Sequence, residues 1–188
     1  MDKGAIRNLY IRKRRELKRE DIRRYSEQIT EYLLEFLHEN PHLKHIHLFL
    51  PIDRFHEVDT YPLFYKLQVQ GFHIYTSAVN KEKDNLDTLD ITDIREFKSD
   101  SWGIPVPVGA NPGKPESIQV VLIPLLAYDL RGFRIGYGKG YYDKYLSSLS
   151  QEVLKIGISF FSPMDELPKE NHDVPLDLCV TPEGRLSF

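Results

Sequence analysis

Residues 117–150 read SIQVVLIPLLAYDLRGFRIGYGKGYYDKYLSSLS. The run from Ile118 to Ala127 is apolar and opens with β-branched side chains, which predicts a buried strand. It stops at Tyr128-Asp129. After a turn through Arg131-Gly132, glycines fall at positions 136, 138 and 140 with Tyr137 and Lys139 between them, and Tyr141 to Leu146 have helical character. Glycines lack Cβ, so successive N–H groups can converge on one anion, and the first turn of the following helix adds partial positive charge. Arg134 and Lys139 supply full charge. A strand, a glycine loop with cations and a helix start together predict a phosphate site. The spacing matches neither the P-loop nor the dinucleotide fingerprint, and the plain alternative is a tight turn shaped by glycines.

Outward from that stretch, the 188 residues are 41% hydrophobic and 28% charged, the balance of an ordinary globular chain with a sizeable core and one domain. A net charge of −3 gives no general reason to bind nucleic acid. The one cysteine, Cys179, allows no internal disulfide and suits a reducing compartment. With no N-terminal apolar region and no apolar run of bilayer length, a cytoplasmic protein without membrane partners is expected.

Lys3 to Lys18 is helical and basic, with a narrow apolar stripe through Ile6, Leu9, Tyr10 and Leu17 and with Arg7, Arg12, Arg14, Arg15 and Lys18 around it. A solvated face is the commoner fate of such a run, and an RNA-binding arm the alternative. Lys3 and Arg7 lie one turn apart, so both could also reach an anion in the glycine loop. A second helix is expected from Asp21 to His38, a strand over His45–Leu50, a helix over about Thr60 to Gln70 and a strand over Phe72–Ala78. His45 and His47 share a strand face, yet nothing nearby completes a metal set, which favours a structural role. Asn80 to Lys98 is polar and weakly patterned, and strands return at Val153–Phe160 and Leu178–Thr181.

The alternation of strand and helix predicts a single α/β domain: a mostly parallel central sheet flanked by helices, with the glycine-rich loop at the carboxyl ends of the strands. Glu57, just beyond the strand that ends at Leu50, would then share a rim with that loop. Trp102, the sole tryptophan, is held in a proline-stiffened loop where it could stack on a flat ring.

The residues Ile123-Pro124, Tyr128-Asp129, Gly132 and Arg134 to Asp143 resemble the signature of the 5-formyltetrahydrofolate cyclo-ligase family, also called methenyltetrahydrofolate synthetases. Lys3 and Arg7, Glu57 to Thr60, Ser101 to Pro105, and His172-Asp173 through Asp177 to Thr181 extend the likeness along the chain. The resemblance implies conversion of 5-formyltetrahydrofolate to 5,10-methenyltetrahydrofolate with ATP as co-substrate and Mg²⁺ as cofactor, releasing ADP and phosphate. It implies that Lys3, Arg7, Arg134, Gly136, Tyr137, Gly138, Lys139, Gly140, Tyr141 and Tyr142 hold ATP. Arg134, Lys139 and Tyr141 would act in catalysis, and Asp143 and Asp177 would hold the metal. The reduced folate would meet Leu50, Glu57, Trp102, Tyr141 and Tyr142. A slow-turnover folate or nucleotide binder, or a related small-molecule kinase or ligase, is the alternative. Two features depart from the pattern. Tyr137 stands where the family commonly has arginine, which predicts weaker anion binding, unless its ring packs beneath the loop. The Leu50 to Glu57 loop is also longer than expected by about two residues.

Overall fold

The computed structural model describes residues 1–101, 103–170 and 173–188; Trp102 and His172 therefore lie outside the described residues. Helix α1 (Lys3–Glu16) begins at Asp2, whose Oδ1 accepts the Ala5 N–H at 2.8 Å, satisfying one of the free donors of the first turn. Helix α2 (Arg19–Glu39) follows after a two-residue break. Strand β1 (His45–His47), helix α3 (Tyr61–Val69) and strand β2 (His73–Asn80) make the first parallel crossover, with His45 beside His73 and His47 beside Tyr75. The polar excursion that follows holds strands β3 (Asn85–Asp90), β4 (Phe97–Ser99), β5 (Pro105–Pro107) and β6 (Asn111–Pro112). Strands β7 (Val120–Pro124), β8 (Ala127–Tyr128) and β9 (Arg134–Ile135) lead into helix α4 (Tyr141–Ser148). Strands β10 (Leu154–Ile158), β11 (Leu178–Thr181) and β12 (Gly184–Ser187) complete the chain.

The main sheet has the order β12-β11-β10-β7-β1-β2-β3-β6. From β11 to β2 the strands run parallel, and antiparallel strands close both edges. The centre is thus parallel as expected, and the polar segment after Asn80 supplies an antiparallel edge. Val120 and Leu122 face the cluster built by α2 and α3, with Ile29, Leu33, Leu63 and Phe64. Val121 and Ile123 face the opposite cluster, with Tyr145 and Leu146 of α4. Both faces of β7 are covered, which explains its unbroken apolar sequence.

The apolar run of 118–127 is not one strand. Pro124 carries no N–H for the ladder, and the chain leaves the sheet there. Leu126 donates instead to the Ile135 carbonyl at 2.8 Å, and β8 pairs with β9 as a separate two-stranded unit. Helix α1 packs on that unit through Ile6 and Tyr10 against Leu126, Ala127 and Ile135. Its amino end is thereby brought to the glycine loop.

The β1 histidines are structural. His47 is wholly buried, with Nε2 at the Ser77 hydroxyl and its ring 5.2 Å from that of Tyr145. Burial pushes its pKa down to about 3, so it is neutral. His45 stacks on His73 with ring centroids 4.4 Å apart. No group of three metal-ligating side chains occurs among the described residues.

Candidate functional site

The carboxyl ends of β7 and β1, the glycine loop, the start of α4 and the amino end of α1 surround one cavity of about 350 Å³. Glu57 lines it together with the loop, as expected from their shared rim, and Leu50 and Phe49 continue the same wall. Lys3, Arg7, Arg134, Lys139 and Asp143 also line the cavity. Ile104 and Pro105, the neighbours of Trp102 along the chain, stand at the cavity together with Val79.

The loop is built for close approach. Gly138 has φ 90° and Gly140, which caps α4, has φ 69°, both in the left-handed region that favours glycine. Arg7 lies directly against Gly138: a Cβ there would come within 3.1 Å of the guanidinium carbon. The Arg7 Nε donates to the Gly136 carbonyl at 3.0 Å, tying α1 to the loop. Tyr141 is the first residue of α4 and lines the cavity beside Tyr142. Burial, then the charge of Glu57, raises the Tyr142 pKa, so its hydroxyl keeps its proton.

Arg134 and Lys139 differ in setting. Lys139 is exposed at the cavity. Arg134, whose side chain is only 5% accessible, is held by the Val174 carbonyl and by Asp143, with Nη2 donating to Oδ1 at 2.7 Å. Lys3 is similarly engaged, at 2.8 Å from Asp173 Oδ2 and 3.3 Å from Glu170. Two of the site's cations, Lys3 and Arg134, thus already face carboxylates.

The two carboxylates expected to share a metal are not brought together. Asp143 lines the cavity, in the first turn of α4. Asp177 precedes β11 at the amino end of the sheet, where its Oδ2 accepts the Lys155 N–H at 2.8 Å and pairs with the Lys155 Nζ at 2.8 Å. Asp173 lines the cavity instead, occupied with Lys3.

Two buried residues carry more than their sequence context suggested. Asp129 has no exposed surface and accepts N–H groups of Arg131, Phe133 and Leu167, so it shapes the turn that delivers Arg134. Burial acts to raise its pKa, but these hydrogen bonds and that from the Arg131 guanidinium outweigh it and leave it lowered. Arg14, expected on the solvated face of α1, is only 3% accessible. Its place four residues after Tyr10 and eight after Ile6 was the available signal, since all three share one helical stripe. Its guanidinium donates to the Leu125 carbonyl and, at 2.7 Å, to the Tyr137 hydroxyl. The Tyr137 ring lies 4.9 Å from that of Phe55. The tyrosine is therefore packed beneath the loop, the second of the two roles that its departure from the family pattern left open.

No helix among the described residues is long and apolar enough to cross a membrane. A family model described as the 5-formyltetrahydrofolate cyclo-ligase family matches residues 1–182. A 5-formyltetrahydrofolate cyclo-ligase of Mycoplasma genitalium is 31% identical over 181 residues, covering 96% of this chain and 98% of the relative. That of Mycoplasma pneumoniae is 30% identical over 185 residues, covering 97% and 100%. Among solved structures, the NMR structure of Aquifex aeolicus 5,10-methenyltetrahydrofolate synthetase superposes with a TM-score of 0.83 at 30% identity, covering all of this chain and 93% of that one. The 5,10-methenyltetrahydrofolate synthetase of Mycoplasma pneumoniae gives 0.79 at 29% identity, covering 97% and 99%. Full-length likeness in sequence and in fold, at a cavity that carries the signature residues, establishes that the chain belongs to the 5-formyltetrahydrofolate cyclo-ligase family, a family of ligases.

Proposed function

We propose that this cavity carries out the ATP-dependent closure of 5-formyltetrahydrofolate to 5,10-methenyltetrahydrofolate. The observation that carries the reading is the mixed lining of one cavity. Glu57, Leu50 and Phe49 suit a flat, hydrogen-bonding ring system, and glycine backbone with Lys3, Arg7 and Lys139 suits a polyphosphate. The two substrates would meet beside Tyr141 and Tyr142.

The formyl oxygen is a poor leaving group in an amide-like bond. In the proposed sequence it attacks the γ-phosphorus of ATP, the bond to the β-phosphate oxygen breaks, and ADP departs. The neighbouring amine nitrogen then attacks the activated formyl carbon. The carbon–oxygen bond breaks, phosphate leaves with that oxygen, and the nitrogen loses its proton to give the methenyl bridge. Both steps depend on positioning and on countering charge as it develops. Lys139, exposed at the cavity, would face the transferred phosphoryl group. Arg134 would orient Asp143, which it pairs with, until phosphate takes its place, and Lys3 and Arg7 would steady the remaining phosphates. Tyr142 offers a proton-bearing hydroxyl in the same cavity.

Mg²⁺ fits this donor set. The ion needs only one or two carboxylates when phosphate oxygens complete its shell, and Asp143 is the carboxylate that the α4 start offers. When bound, it would supply charge neutralisation between the terminal phosphates. Purified protein incubated with 5-formyltetrahydrofolate should develop methenyltetrahydrofolate absorbance only when ATP and Mg²⁺ are both present. No absorbance change under saturating substrates would refute the proposal.

A further inference from the structure

Glu57 is a carboxyl group with only 6% of its surface accessible, and burial favours its neutral form. A protonated carboxyl would confuse recognition, because it presents a donor as well as an acceptor. The groups around it bear on this. Ile52 N–H donates to Oε2 at 2.8 Å within the same loop. The phenols of Tyr137, from the glycine loop, and Tyr142, from α4, face it, as does the positive charge of Arg14 from α1.

Hydrogen-bond direction settles what Tyr137 can do. A guanidinium can only donate, so at 2.7 Å Arg14 Nη1 makes the Tyr137 oxygen an acceptor. The single phenolic proton is then left for the Glu57 carboxylate beside it. The loop that carries Glu57 is pinned in the same place: Phe55 packs on the Tyr137 ring, and His56 Nδ1 meets the Arg14 carbonyl at 3.0 Å. The buried Arg14 Nε has no hydrogen-bond partner among the described residues, and an unmatched buried donor is a cost to the fold.

We infer that Arg14 and Tyr137 are positioning residues which counter the effect of burial on Glu57 and aim it into the cavity, so that its ionised form presents only acceptors to the N–H-rich edge of the folate's bicyclic ring. The inference rests on the folate reading of the cavity for its ligand, but not for the ionisation of Glu57. The relay substitutes a neutral phenol for direct contact between guanidinium and carboxylate. Its consequence is a carboxylate that stays free on the cavity side.

Tyr137→Phe removes the shared hydroxyl and keeps the ring on Phe55; Arg14→Lys keeps a positive charge and loses the forked donor. The test follows the Glu57 carboxyl by ¹³C NMR of glutamate-labelled protein without ligand, the signal being assigned by its loss in Glu57→Gln. Calorimetric titrations with 5-formyltetrahydrofolate and, separately, with ATP accompany it. In Tyr137→Phe the Glu57 titration should move up by about one pH unit or more. The folate Kd should rise about tenfold near neutral pH and recover in part at higher pH, while the ATP Kd changes less than about twofold. Arg14→Lys should show the same pattern in weaker form. A Glu57 titration that stays where it is in both variants, whatever happens to their melting temperatures, overturns the inference. So does one that moves while folate binding is unchanged. Wild-type protein that binds no 5-formyltetrahydrofolate would refute the folate reading, and the titration in unliganded protein would still decide whether the relay counters the effect of burial on Glu57.

Discussion

Replacing Gly138 by alanine strikes the loop and α1 at once. The backbone there has φ 90°, where a side chain costs about 1–2 kcal/mol. The added Cβ would stand 3.1 Å from Arg7 Cζ, 3.2 Å from Nε and 3.3 Å from Nη2, closer than such atoms normally approach. The guanidinium is the far end of a flexible side chain and can move by a few tenths of an ångström. Its 3.0 Å bond to the Gly136 carbonyl is then strained or lost. The backbone cost alone lowers the melting temperature by about 3–6 °C for a chain of this size. Displacing one charged donor from the proposed phosphate site should raise the KM for ATP about five- to tenfold, with the KM for folate little changed. Gly136→Ala is the control. A Cβ there meets no neighbour within 4 Å, so its melting temperature should hold even where the methyl group obstructs the nucleotide. Initial-rate kinetics with each substrate varied, beside thermal melts, read both effects. A Gly138→Ala protein that is less stable yet keeps the wild-type KM for ATP would show that Arg7 and the loop do not form a nucleotide site.

Lys139→Ala should lower kcat about 100-fold with an unchanged melting temperature, since the side chain is exposed and its charge is needed only as the phosphoryl group moves; steady-state rates and melts check this. Asp143→Asn should raise the Mg²⁺ concentration for half-maximal turnover, whereas Asp177→Asn should leave that titration alone and lower stability, because its carboxylate serves Lys155; magnesium titrations of both variants separate the two. Acid should weaken the fold through His47. Its folded pKa of about 3 lies below the unfolded value of 6.5, so its contribution is complete above pH 6.5 and is lost as pH falls toward 3, by about 1.4 kcal/mol per pH unit. Urea midpoints measured across pH 5 to 7, a range chosen about the ordinary histidine pKa, should slope more steeply in wild type than in His47→Gln.

The sheet was legible because β7 had to be apolar on both faces, and the glycine loop because alternate glycines beside cations have few other uses. Strand β3 was legible only in outline. Asn85 to Asp90 alternates polar residues with Leu86, Thr88 and Leu89, and Thr88 is inward because its hydroxyl meets that of Tyr145 at 2.8 Å, a partner distant in the chain. The break after Pro124 is masked in the sequence, although proline announces it, because the apolar run continues unchanged to Ala127. Arg14 shares the stripe of Ile6 and Tyr10, but that spacing alone does not say what a buried guanidinium would bind. A charge in a basic run looks solvated until the chain supplies a carbonyl at Leu125 and a phenol at Tyr137. Asp177 shows the converse error. Only three residues separate it from Asp173, yet the chain between them crosses from the cavity to the far end of a strand.

Lys3 and Arg134 meet an incoming polyphosphate with counter-ions already in place, Asp173 and Glu170 for one and Asp143 for the other. On the proposed reading, nucleotide capture at these residues would be an exchange of partners. The attraction of phosphate for each cation is set against the carboxylate it displaces, so the free energy of capture is a difference between two pairings of similar strength. Such a site would, on that reading, hold its nucleotide less tightly than bare cations would. It would also have a built-in competitor for the spent phosphates, because the same carboxylates can reclaim lysine and arginine as the products loosen. Departure of ADP and phosphate would then begin with the protein's own acids closing back on its bases.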